Sequence, residues 1–431
     1  MLSIRCGNCY RPLAFVLAAA LVAVAACGEG DGRDLASPTS QESVVASPTP
    51  SASPEPSAAA PAVGVFVVRA DGSGLRRVFD VDALLQTWSP DSTTLAFVDR
   101  LNPGHEITLL NLASGEARRL GPMTEATLAW SPRGNELLVT SLSSPAADRS
   151  APHVLEIVDV KMGDRSRIGE AIAGEWSPDG NRIAMAGMTC ESRFVRHIYD
   201  VTTKTTTDVL QRYPGAAAFI SPDWKRMAYF KSGGPFLSDR AADNSLYVSN
   251  IDGTDEHALA TGDIGRGEPF WSPDGRWIAY TPRLESPNGF AYTPYLLSAD
   301  GSRAPIKLAR QGDTGVWSPD SRLLVLHDAK SPTDQFDDLH LVYELSDGQT
   351  STFHTGPAYH EQWSPSGKQI AFVAADHSGR TSLGIYDVRT NSTTVVPGME
   401  GIIPANPRWS PDATRLSFLG IPGGYDYGPC L

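Results

Sequence analysis

The chain has 431 residues, of which 41% are hydrophobic and 20% charged, and it carries a formal net charge of −13 at neutral pH. That length suits two ordinary domains or one large repeat domain. An acidic balance with no Lys/Arg cluster speaks against nucleic acid and against docking on anionic lipid, and it names no other partner.

Residues 1–26 contain Arg5, Arg11 and no acidic residue, then the apolar run LAFVLAAALVAVAA (13–26) ending at Cys27. The run is short and Ala-rich for a membrane span, and its charged head and small-residue end read as an export signal. VAAC (24–27) resembles the bacterial lipobox, which implies that Cys27 is lipidated and becomes the first mature residue; an ordinary cleaved signal and an uncleaved anchor are the alternatives. Loss of Arg5 and Arg11 with the signal takes the charge from −13 to −15. Cys6 and Cys9 have redox or half-zinc spacing but fall within the signal, where the spacing is read as accidental. Residues 27–62 are rich in Ser, Pro and Ala, have little to bury, and are expected to form an extended tether reaching up to ~100 Å at ~3.3 Å per residue.

From residue 63 a motif recurs eight times, beginning at Trp88, Trp130, Trp176, Ile220, Trp271, Trp317, Trp363 and Trp409, with spacings between 42 and 51 residues. Such a period with short strands marks a β-propeller of four-stranded blades. Ser-Pro-Asp-Gly suits a type I turn: Pro presets φ, Asp bonds its own backbone and Gly closes the bend. Apolar strands follow each turn, such as WIAYT (277–281) and RLLVL (322–326), and second hairpins bend at Asp-Gly, as in SLYVSNIDGTDEHALA (245–260). Seven of the nine tryptophans open the motif, which assigns them to wedges between blades. The last first-hairpin, NPRWSPDATRLSFLG (406–420), has no second hairpin after it, whereas VGVFVVRADGSGLRRVF (63–79) is a second hairpin with no first. Together they predict an all-β, eight-bladed propeller over 63–420, closed two-plus-two by the N- and C-terminal segments, with a tail at 421–431.

The WSPDG and IAY segments, with SNIDGTDEHALATG (249–262), are similar to TolB-type propeller repeats of bacterial periplasmic proteins across residues 63–420. The resemblance implies a cell-envelope propeller that binds proteins or ligands. TolB itself has six blades and a preceding α/β domain, whereas here the tether runs straight into a strand. In blade 4 Ile220 replaces the motif Trp, and Trp224 is expected to fill that space from the turn.

Chemistry-bearing motifs are scarce. H-E-x-x-H, phosphate-binding and calcium-loop patterns are absent, as is the G-x-S-x-G elbow of the prolyl-oligopeptidase-like enzymes that share such repeats, so no cofactor or metal is expected. The enzymatic alternative is resemblance to propellers that act as pectic-oligosaccharide lyases with a metal held by several His and a Gln near the channel. The third residue before each motif is Leu85, Thr127, Ala173, Ala217, Glu268, Thr314, His360 and Asn406, one histidine where such sites need about three protein ligands. HEQW (360–363) and NPRW (406–409) nevertheless place His360, Glu361, Gln362, Asn406 and Arg408 on adjacent blades. With Glu268 these are channel-mouth candidates, either hydrated polar groups or a small-ligand mouth.

Three long loops between second and third strands (141–153, 231–244 and 282–294) and the tail offer Phe236, Phe290, Tyr292, Tyr295, Tyr425 and Tyr427 as aromatic anchors on one face. Cys190 and Cys430 should emerge on that face and form a disulfide in an oxidising compartment. The resulting reading is an exported, lipid-anchored, monomeric scaffold in the periplasm or on the outer face of the cell membrane. It binds an envelope protein, with a glycan or small ligand second, and touches the membrane through its lipid alone.

Overall fold

A computed structural model describes residues 63–99, 105–123, 127–142, 153–171, 173–188, 194–209, 218–231, 245–261, 269–286, 289–309, 312–329 and 338–421. The signal and tether, Cys27, Cys190, Phe236, Glu268, Tyr425, Tyr427 and Cys430 lie outside the described residues. Among the described residues, no helix is long and apolar enough to cross a membrane.

Each motif turn is built by its own side chains. In blade 5 the Gly275 N–H donates to Ser272 O at 2.8 Å, closing the bend. The Ser272 hydroxyl donates to Asp274 Oδ1 at 2.6 Å and accepts from the Trp277 N–H at 3.0 Å. Asp274 Oδ1 also accepts the Arg276 N–H at 3.0 Å. Local side-chain bonds of this kind make Ser-Pro-Asp a turn former. The fifth motif residue takes a left-handed φ, 68° at Gly275 and 57° at Trp224, which is where Gly costs least. Blade 2 lacks the Asp and its Ser131 bonds Asn135 instead.

Eight four-stranded antiparallel sheets result, the blades of an eight-bladed propeller. Blade 1 spans 83–123 and blades 2 to 7 follow in chain order; blade 8 takes strands from both ends of the propeller. Its inner strands, Ile403–Trp409 and Arg415–Ile421, pair with Gly64–Arg69, and Arg76–Phe79 lies outermost. The seam runs in unbroken register from Gly64↔Gly420 to Arg69↔Arg415, with Phe66 stacked on Phe418 at 5.3 Å. The predicted two-plus-two closure is therefore what the chain forms.

Second strands such as Leu323–Asp328 bury both faces over most of their length because each blade is sandwiched between two others. The motif tryptophans bridge those interfaces. Each of the seven donates its indole N–H to the carbonyl of the residue just before the motif in the preceding blade. Examples are Trp271 to Phe219 O (2.9 Å), Trp363 to Val316 O (3.0 Å) and, across the seam, Trp88 to Arg408 O (3.0 Å). A buried indole thus keeps its donor satisfied while its ring fills the gap. Arginines six positions after the motif start stack on the next blade's ring: Arg226 on Trp271 (5.1 Å) and Arg415 on Trp88 (5.0 Å). In blade 4 the ring under Arg182 is Trp224, 5.2 Å away and 4% exposed. The displaced tryptophan receives the contact that Ile220 cannot.

One segment differs from expectation. The stretch 282–294, read as a loop, contains a two-stranded hairpin in which Arg283–Ser286 pairs with Gly289–Tyr292. Tyr295 then opens the third strand of blade 5, opposite Tyr280 and Lys307, and is not a loop residue. The Arg-Leu-Glu-Ser and Gly-Phe-Ala-Tyr runs are strand patterns on either side of Pro287 and Asn288 in the sequence.

Candidate functional site

The inner strands of blades 6, 7 and 8 are irregular within three residues of their motif Trp. Each has a bulge just before its motif Trp, where two residues face one on the second strand: Gly315 and Val316, His360 and Glu361, Asn406 and Pro407. His360 and Asn406 take left-handed φ values of 60° and 53°. Bulges re-aim side chains and are enriched beside binding sites, and a non-Gly residue held at positive φ costs about 1–2 kcal/mol.

Between blades 6 and 7 the bulge turns Glu361 away from the channel-mouth set in which the sequence placed it. The carboxylate is buried, its side chain 4% exposed, and its Oε1 lies 3.1 Å from His327 Nε2 and 2.9 Å from His340 Nδ1. His327 is the penultimate residue of the second strand of blade 6 (Leu323–Asp328) and His340 faces it from the third (Leu339–Glu344). The same cross-strand level holds Val98 with Ile107 in blade 1, Phe230 with Leu246 in blade 4 and Val373 with Leu383 in blade 7. Where those three blades carry a hydrophobic pair, blade 6 carries two imidazoles facing a carboxylate. Burial pushes the Glu361 pKa up, but His327 and His340 outweigh it and hold the carboxyl well below the usual carboxylate range. Burial likewise lowers the His327 pKa, while Glu361 first, then Asp313 and Asp338, raise it beyond that loss. His354, next in the row across blade 6, is lowered by burial and by His340. Gly312 seats this end of the blade: with φ of 150°, a Cβ there would lie 1.8 Å from His327 O.

On the other side, between blades 7 and 8, stand His360, Gln362, Asn406 and Arg408. Arg408 Nη2 lies 3.5 Å from Asn406 Oδ1, and the Gln362 amide, turned so that its oxygen faces the guanidinium, accepts from Nη1 and donates to Pro407 O at 3.1 Å. Among the described residues no carboxylate reaches Arg408, and burial pulls its pKa down to about 10. Burial, then Arg408, lowers the His360 pKa, so this imidazole is neutral at pH 7. Gln86 of blade 1 bonds Asn406 O at 3.0 Å and ties the bulge to the ring. A cation without a carboxylate partner among the described residues, on strands that line the channel, suits an anionic group.

Of the residues singled out in the sequence, the structure brings together His360, Gln362, Asn406 and Arg408, and separates Glu361 from them. Tyr292 is half-buried in the blade 5 hairpin, where Phe290 pairs with Glu285. His327 and His340 were missed. Their signal is the histidine that ends RLLVLH (322–327), ten residues after Trp317, where the other blades carry Val98, Thr140, Ala186, Phe230, Thr281, Val373 and Leu419.

No family model and no curated protein matches the chain. Solved structures do. It is similar to an oligogalacturonate lyase in complex with manganese, at 13% identity, TM-score 0.50, covering 80% of this chain and 98% of that one. It is also similar to an oligogalacturonate lyase from Vibrio parahaemolyticus, at 13% identity, TM-score 0.51, covering 80% and 100%. TolB from Acinetobacter baumannii aligns at 15% identity and TM-score 0.38 over 76% of this chain and 80% of that one. What these likenesses share with the chain is the propeller fold.

Proposed function

We propose that this protein is an extracytoplasmic, lipid-anchored propeller that acts as a binding scaffold, and that its ligand is an acidic glycan whose carboxylate is received by Arg408. The observation that carries this reading is a desolvated guanidinium without a carboxylate partner among the described residues, in a chain of net charge −13. His360, Gln362 and Asn406 supply neutral hydrogen-bonding groups around it, the pattern of a site that orients one anion. The export signal, lipidated Cys27 and tether would hold the ring away from the membrane, where polymeric glycans are met.

A second reading has its own support. A neutral His360 beside Arg408 could take the proton α to a bound carboxylate, the first step of the β-elimination that a lyase performs on uronates, and two structures of the same fold are oligogalacturonate lyases. Incubating the full chain with oligogalacturonate separates the two. The scaffold reading expects retention of the oligosaccharide without the ultraviolet-absorbing unsaturated product. Accumulation of that product, abolished in His360→Ala, would replace the scaffold by the lyase.

A further inference from the structure

We infer that His327, His340 and Glu361 form a binding site for a divalent first-row transition metal that staples blade 6 to blade 7. The inference does not depend on the ligand proposed for Arg408.

The three side chains converge, with His327 Nε2 and Glu361 Oε1 already in hydrogen-bond contact. The three ligand atoms lie within 4.8 Å of one another. Two edges of the triangle are 3.1 and 2.9 Å. Atoms bonded at about 2.0–2.2 Å to one ion, with bonds diverging by about 90–100°, stand about 3 Å apart. His340 Nδ1 is buried and makes no hydrogen bond, although Glu361 Oε1 is 2.9 Å away. The contact lies off the line an N–H would need, and a cation between the two atoms would use both lone pairs. A buried nitrogen left in that state would otherwise be costly.

The donor chemistry narrows the metal. Two imidazoles and one carboxylate suit zinc, manganese, iron, cobalt or nickel, whereas calcium and magnesium prefer all-oxygen shells. The surroundings are negative: Asp313 lies directly opposite His327 in the ladder, and Asp338 acts on the same imidazole. His327 is the most exposed of the three, 27% against 6% and 4%, so water completes the coordination from its side. Because the ligands come from two blades, binding should stabilise the interface between them.

The test uses the full chain in detergent, stripped with a chelator and titrated separately with Zn²⁺, Mn²⁺, Co²⁺ and Ni²⁺. The readouts are calorimetric uptake, the visible spectrum of the Co²⁺ form and the melting temperature. The signal is the difference between wild type and variant, which removes any metal taken up elsewhere on the chain. The expected result is one equivalent more in wild type than in Glu361→Gln. Melting should rise by about 3–4 °C at a hundredfold excess over Kd. Affinity should fall at least tenfold in Glu361→Gln and in the more exposed His327→Gln. His257→Gln, on the outer strand of blade 4, should match wild type. Equal uptake by wild type and both variants, or a Co²⁺ spectrum unchanged in them, would overturn the inference.

Discussion

Trp224 offers a sharp test of how the blades are held together. Its backbone sits at φ 57°, the position that Gly holds in blades 2, 3, 5 and 7, so Trp224→Gly relieves about 1 kcal/mol of left-handed strain. Against that stands the ring, 4% exposed and stacked under Arg182. A Trp buries about 200 Å², or up to ~5 kcal/mol at ~25 cal/mol per Å², reduced by about a quarter for a compact unfolded chain. The net expectation is a loss of about 3 kcal/mol. With about 2.1 cal/mol/K per residue over a roughly 360-residue propeller, that lowers the melting temperature by about 4 °C. Adding Ile220→Trp restores the standard motif, with an indole placed to donate to Glu175 O as its seven counterparts do. The double variant should recover most of the loss. Scanning calorimetry of parent, single and double variants decides the matter. A single variant as stable as the parent, or a double variant no better than the single, would refute the displaced-wedge account.

Three further outcomes are expected. Deleting residues 63–79 strips the outer half of blade 8 and exposes the edge of Arg415–Ile421, so cooperative melting should be lost or aggregation appear; a parent-like melt would contradict the seam. In acid, the turn aspartates govern stability. Asp179 is held down to about 2 by the Ser177 hydroxyl and then the Asn181 N–H. The Ser89 hydroxyl leads at Asp91, and at Asp223, Asp274 and Asp412 hydroxyl and N–H bonds outweigh burial. Folded pKa values below the unfolded ones mean stability that is complete above about pH 4 and is lost progressively toward pH 2; urea midpoints that stay level across that window would contradict it. Cys27→Ser should move the protein from the membrane to the soluble fraction, since the acyl chains are the proposed attachment; unchanged partitioning would point to an uncleaved anchor.

The ring was legible in the sequence because its determinants are local and repeated. Ser, Pro and Asp bond their own backbone, the Trp period fixes the blade length, and two orphan hairpins specify the seam. The hairpin at 283–292 was obscured by its setting, a long insertion between strands that reads as loop. The site was half legible. His360, Gln362, Asn406 and Arg408 precede their motifs, so the repeat placed them on inner strands. His327 and His340 lie 13 residues apart and meet Glu361 only through register and a bulge. A bulge shifts side chains by one position, which no period reveals. One level of the inner strands holds a single histidine, His360, whereas the triad spans three strands on two blades.

Whether Arg408 receives a carboxylate is decided by titration calorimetry with matched ligands. Oligogalacturonate and its fully methyl-esterified form differ in charge and little in shape. The full chain should bind the acid, esterification should weaken binding about 10- to 100-fold, and Arg408→Gln should weaken the acid by a similar factor, the value of a charged hydrogen-bonded pair at about 1.5–3 kcal/mol. Equal affinity for acid and ester, no binding of the acid, or an Arg408→Gln variant that binds it as tightly as the parent would contradict the account.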